Sequence, residues 1–146
     1  MEEYLVLSFG ARFLRFESND IFYIKADGNS CKLFLVDGGK GIDIPLQMHD
    51  LAEYIKKNMK KTGVNFIRVG KSYILNRRYI QRIDVTNNTV DLYCGSSGRA
   101  FEYDVYRYED VNRGPNHEFK AKNSRLTVPI KMSREALLSL KSVMEK

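Results

Sequence analysis

Histidine and cysteine are almost missing from this sequence, with two of each in 146 residues, and tryptophan is absent. Metal centres and thiol chemistry need such residues in clusters, and none form here. Cys31 and Cys94 fit no metal-ligand spacing and are too few for a disulfide scaffold, so they read as ordinary reduced thiols. His49 falls on the polar side of a helical pattern and His117 in a loop-like stretch, neither with a second ligand at a metal spacing. A catalytic nucleophile needs a base beside it, and no such pairing is visible. Gly38-Gly39-Lys40-Gly41 lacks the spacing of a phosphate-binding loop, and Glu109-Asp110 reads as surface charge. No enzymatic activity, cofactor or metal is expected. Long apolar runs are also lacking: none approaches the roughly 18 residues of a membrane span. The acidic start Met1-Glu2-Glu3 is unlike a secretory signal. The expectation is a cytoplasmic protein with no membrane insertion.

What is present is an ordinary globular balance, 43% hydrophobic and 29% charged, with a net charge of +6. The length suits one domain spanning 1–146. The charge is uneven. Residues 1–55 hold five Lys/Arg against nine Asp/Glu, a net −4, and the remainder carries +10. Such asymmetry suggests that one part of the surface meets a polyanion.

Period-two alternation dominates the chain. Cys31, Leu33 and Leu35 point one way, while Lys32, Phe34 and Val36 point the other. The pattern returns at Ile42–Leu46, Val90–Cys94, Phe101–Val105 and Leu126–Ile130. Ile21–Ile24 and Phe66-Ile67 read as short, more fully buried strands. Asp37–Gly41 supplies a hairpin turn, and Asn87-Asn88 a second. Two segments switch to helical period. Met48, Leu51, Ala52, Ile55 and Met59 form one apolar stripe, ending in Lys56, Lys57, Lys60 and Lys61, with Gly63 as the stop. The other helix starts at the N-cap Ser133 and runs through Leu137, Leu140 and Met144. Between Gly95 and Arg125 a polar, tyrosine-rich stretch reads as an extended hairpin plus a loop. The fold class is mostly β, with one mid-chain helix and one C-terminal helix.

The stretch Asn65–Arg82 holds five basic residues and no acid, interleaved with hydroxyl and amide groups. That mixture suits phosphate contacts, because Arg and Lys supply charge while Ser, Tyr and Asn fix register. It also suits a strand–turn–strand whose basic residues are merely exposed. Within it, Phe66-Ile-Arg-Val-Gly-Lys-Ser-Tyr-Ile-Leu-Asn76, followed by Tyr79-Ile80, resembles the core motif of the LytTR family of bacterial DNA-binding domains. Asp20-Ile-Phe-Tyr-Ile-Lys-Ala-Asp-Gly-Asn29, Ile44-Pro-Leu46 and Leu126–Ile130 with Ser133-Arg134 resemble its other segments, in the same order.

The resemblance implies an elongated stack of small antiparallel β-sheets that reads duplex DNA without a recognition helix. Loops at strand ends would enter successive major grooves at promoters carrying direct repeats, where a homodimer could sit. Carried onto this chain, the first loop is Asn29, Ser30, Cys31 and Lys32. The second is Arg68, Gly70, Lys71 and Ser72, and the third runs from Lys131 through Ser133 to Arg134. Lys71 and either Lys131 or Arg134 suit base edges; Arg68, Ser72 and Lys32 suit phosphates. Tyr73, Ile74 and Tyr79 are packing residues. Gly70 replaces a usual His and Lys71 a usual Arg, exchanging a planar bidentate donor for a point charge. Residues 95–125 form an insertion relative to the family's compact ending. With no receiver sequence ahead of the motif, regulation by receiver phosphorylation is not expected. A different class of reading is a protein-interaction module that keeps the fold and binds a regulatory partner, such as a membrane inhibitor, in place of DNA. A third is single-strand binding through Tyr and Phe stacking.

Overall fold

The computed structural model describes residues 3–94 and 126–145. The Phe101–Val105 pattern, His117, Glu109-Asp110 and the 95–125 insertion lie outside the described residues. Within them the chain forms β1 (Tyr4–Phe9), β2 (Arg12–Glu17), β3 (Ile21–Asp27), β4 (Ser30–Leu35), β5 (Ile42–Ile44), α1 (Met48–Asn58), β6 (Phe66–Val69), β7 (Tyr73–Asn76), β8 (Ile80–Asp84), β9 (Thr89–Cys94), β10 (Leu126–Lys131) and α2 (Arg134–Met144). The strands make three antiparallel sheets: β1-β2, β5-β4-β3-β7-β6 and β10-β9-β8. The mostly β expectation, with one helix mid-chain and one at the end, is what the described residues adopt.

The five-stranded sheet separates two cores. One face, carrying Ile24, Cys31, Leu33, Ile44 and Ile74, packs against Leu5 and Leu7 of β1, the stripe Met48, Leu51 and Ile55 of α1, and Met59 at that helix's C-cap. The other face, through Phe22, Val69 and Leu75, meets Val90 and Leu92 of β9, Ile130 of β10 and Leu137 and Leu140 of α2. Period-two alternation lets one strand serve both cores, because successive side chains leave opposite faces. β3 breaks that rule once. Its register shifts between Ile21 and Tyr23, so that consecutive Phe22 and Tyr23 both join the second core. Tyr23 then stacks on Phe34 at 4.6 Å, and Phe22 meets Tyr79 edge-on at 5.6 Å.

Local signals explain most boundaries. Gly38 and Gly39, with φ of 86° and 91°, turn the chain between β4 and β5, and Asn88, at φ 57°, turns it between β8 and β9. Ser133 caps α2, its hydroxyl accepting the Ala136 amide at 3.2 Å. Pro129 sits in β10, an edge strand, where a missing amide donor is tolerated. Gly63 is not the residue that ends α1. The helix stops at Asn58, and Gly63 lies beyond, opening a 3-10 turn and donating its amide to Met59 O at 2.7 Å. A Cβ there would stand 3.3 Å from the Ile55 carbonyl, so its small size serves packing.

The sequence reading assigned no element before Ile21, yet β1 and β2 form a hairpin around Gly10 at φ 55°. The apolar start Tyr4–Leu7 hides the alternation of β1, in which Leu5 and Leu7 are buried and Val6 is exposed. Tyr54 of α1 donates to the Val6 carbonyl at 2.5 Å, fastening the hairpin to the helix. Burying each of these Leu and Ile side chains contributes roughly 1.5–3 kcal/mol.

Candidate nucleic-acid interface

Two of the three expected loops lie side by side. β3 and β4 turn at Asp27–Ser30, and β6 and β7 turn at Gly70–Ser72. β7 pairs antiparallel with β3, setting Tyr73 opposite Lys25, so both turns leave the same end of the five-stranded sheet. The Ala26 amide donates to the Ser72 carbonyl at 2.8 Å, tying β3 just ahead of the first turn to the second turn. Gly28 and Gly70, with φ of 64° and 62°, take the left-handed conformation these tight turns need. A Cβ on Gly70 would meet nothing within 4 Å, so its role is conformational rather than steric. Asn29, Lys71 and Ser72 are exposed at the tips.

Strand register settles the surroundings of each candidate. Cys31 pairs with Ala26 and Ile44 across its two neighbours and is fully buried, at 0% exposure. Its expected place among the DNA-contacting residues is therefore corrected: the side chain belongs to the first core. Burial pushes the thiol pKa up, with the Asp27 charge adding to it. Lys32 faces the other way and reaches Asp43 at 2.7 Å and Asp27 at 3.9 Å. The hydrogen bond and charge of Asp43 raise the Lys32 pKa, and Lys32 in turn holds the Asp43 carboxyl low. Lys32 is thus a cation already partnered by carboxylates. Ser30 is likewise engaged, its hydroxyl donating to the Asp27 carbonyl at 3.0 Å.

Arg68 stands on β6 just before the second turn, and its Nη1 lies 3.3 Å from Nδ1 of His49 in the first turn of α1. Sequence reasoning passed over His49 as a polar-face residue, and also Lys25. Lys25 is exposed between Lys32 and Tyr73 in the register. Its alternation with Ile24 was the signal available.

The third loop lies on a different sheet. Lys131 ends β10 opposite Thr89, and the Met132 amide donates to the Asn88 carbonyl at 3.1 Å, which brings Lys131–Arg134 beside the β8–β9 turn. Lys131, Ser133 and Arg134 are exposed, with Ser133 engaged as the α2 cap. Among the described residues, no ion pair involves Lys71, Lys131 or Arg134.

The basic run 65–82 is divided by the fold. Arg77 and Arg78 follow β7 at its far end, about 13 Å along the strand from Lys71's turn at ~3.3 Å per residue. Arg82 is held by Asp84 at 3.0 Å and Asp91 at 3.9 Å. No group of His, Cys, Asp and Glu among the described residues could hold a metal. No described helix is long and apolar enough to cross a membrane.

The two turns stand together at one end of the five-stranded sheet. The family model for the LytTr DNA-binding domain matches residues 11–101. The chain belongs to the LytTR family. Among solved structures, a LytTr DNA-binding domain from Bacillus cereus is similar over 98% of this chain and 97% of that one. Its TM-score is 0.51 at 14% identity, a likeness of fold. A search of the curated proteins finds no match. LytTR domains are a family of DNA-binding domains rather than of enzymes, and duplex or other DNA is the partner class that membership supplies.

Proposed function

We propose that this LytTR protein binds duplex DNA sequence-specifically and regulates transcription, with its strand-end turns entering the major groove. The observation that carries the reading is the joined pair of turns at Asp27–Ser30 and Gly70–Ser72, with Lys71 exposed at a tip and outside every ion pair among the described residues. Lys71 meets base edges, where an ammonium can donate to guanine O6 and N7. Ser72, Asn29 and Arg68 contact phosphates and fix register. Lys131 and Arg134 serve a neighbouring groove segment, and the α2 N-terminus beside them favours anionic oxygens. Two copies occupy adjacent direct repeats.

Selection of bound duplexes from a random pool, followed by anisotropy titration across a salt series, tests this. The expected result is a repeat-containing consensus whose affinity falls steeply with salt. Lys71→Ala should weaken binding at every selected site and relax the consensus at the position it reads. No enrichment, stronger competition by single-stranded DNA, or unchanged binding by Lys71→Ala and Arg134→Ala together would overturn the reading.

A further inference from the structure

A second surface lies between α1 and β6, a groove of about 490 Å³. Its floor is apolar, built from Ala52 of the helix, Met59 just past its end and Phe66 of the strand. Val64, at 67% exposure, forms an apolar lip on the turn leading into β6. Three cations, Lys56, Lys60 and Arg68, line it against one acid, Glu53. The volume is that of a site for a small ligand or a few side chains.

The arrangement of charge selects among occupants. Arg68 marks the end nearer the α1 N-terminus, where it meets His49, while Lys60 lies beyond the helix C-terminus and Lys56 between them. From Ala52 to the helix end at Asn58 the lining extends about 9 Å at ~1.5 Å per residue, with Lys60 beyond it. A small acid with one carboxylate would engage a single cation and leave the others unused. A nucleic-acid backbone would use the cations but leave the apolar floor and Val64 without a partner. A polypeptide with apolar side chains inside and carboxylates spaced along its length satisfies both. We propose that the α1–β6 groove docks an acidic, amphipathic segment of a partner protein, its apolar anchors on Ala52, Met59 and Phe66 and its carboxylates against Lys56, Lys60 and Arg68. This surface is separate from the tips of the turns and does not depend on the DNA reading. Arg68 belongs to both, so docking and DNA contact draw on one guanidinium.

A displayed library of random dodecapeptides, selected on the full chain without DNA, tests the proposal. The expected consensus has two apolar positions flanked by Asp or Glu. Synthetic peptides from it should bind Lys56→Glu/Lys60→Glu and Val64→Asp at least about tenfold more weakly than wild type. Both variants alter exposed residues, so circular dichroism should be unchanged. Lys57→Glu, on the same helix but outside the groove, should bind as wild type. The proposal is overturned by no enrichment, by a consensus without acids, by full binding to the groove variants, or by equal loss with Lys57→Glu.

Discussion

Lys71 and Arg82 belong to one acid-free, basic stretch, and the fold puts them in opposite electrostatic circumstances. Lys71 sits at the tip of a glycine-led turn, exposed, with no ion pair among the described residues. Arg82 lies within β8 between Asp84 and Asp91. The same contrast separates the two ends of the five-stranded sheet. At one end are the joined turns. At the other, Asn76 is buried, its amide donating to Ile21 O at 2.8 Å and its Oδ1 accepting from the Arg78 amide at 3.1 Å. Asn76 at that end holds the fold together, while Asn29 and Lys71 at the first end are exposed. Charge in a sequence is therefore only a supply; the neighbours decide whether it is spent internally.

The largest expected effect tests the structural end. Asn76→Ala leaves buried polar groups unpaired and removes a turn contact, so urea unfolding should show a loss of about 2–3 kcal/mol. Lys71→Ala should leave the urea midpoint unchanged. A variant at Asn76 that weakened DNA binding without destabilising the chain would break the division between the two ends.

Next in size is the paired test on the basic run. Lys71→Ala should cost about tenfold in DNA affinity, roughly 1.4 kcal/mol. Arg82→Ala should cost less than about threefold, because its charge is already matched and exposed pairs of this kind contribute little. Equal losses in anisotropy titrations would mean that only net charge matters.

Asp43→Asn sharpens the comparison from the other direction. Removing that carboxylate leaves Lys32 only the longer Asp27 contact at 3.9 Å and takes a negative charge from the edge. Affinity should rise by about two- to fivefold with a steeper salt dependence. Adding Lys32→Ala to Asp43→Asn should reverse much of the gain; a full gain without Lys32 would mean that this cation plays no part.

The smallest effect concerns Glu3, which ties the N-terminal strand to the segment after α1. Its carboxylate accepts from the Thr62 amide and hydroxyl at 2.6 and 2.7 Å and from the Lys61 amide at 3.0 Å. The Thr62 hydrogen bonds lower its pKa below the ordinary 4.5. A depressed carboxylate contributes stability that is present above the unfolded value and lost as pH falls through the folded one. Glu3→Gln should therefore lower the melting temperature slightly at pH 7, with the gap to wild type closing below about pH 4.5. A gap that widened in acid would reverse this assignment.

Much of this architecture is legible along the chain, and the misses have identifiable causes. The helix stripe from Met48 to Met59, the Asp37–Gly41 turn and the Ser133 cap are local signals, and each is realised. The β1–β2 hairpin escaped because Tyr4–Leu7 is too continuously apolar to display its period. Cys31 is instructive because two lines of reasoning conflicted. Alternation put it on one face with Leu33 and Leu35, while family resemblance put it in a contact loop. The register sided with alternation, since β4 is flanked on both edges and its inward face has no route to solvent.

The LytTR motif, the strand-dominated class and the excess of positive charge after residue 55 are properties of residue order, readable because they depend on neighbours a few positions apart. Three things are not of that kind. Lys32 finds Asp43 only across the β4–β5 ladder. Arg68 lines the groove only because α1 crosses beside an edge strand. The Asp27–Ser30 and Gly70–Ser72 turns meet only because β3 and β7 pair in antiparallel register. Each depends on which strands lie side by side, a long-range choice made by burying two apolar faces at once.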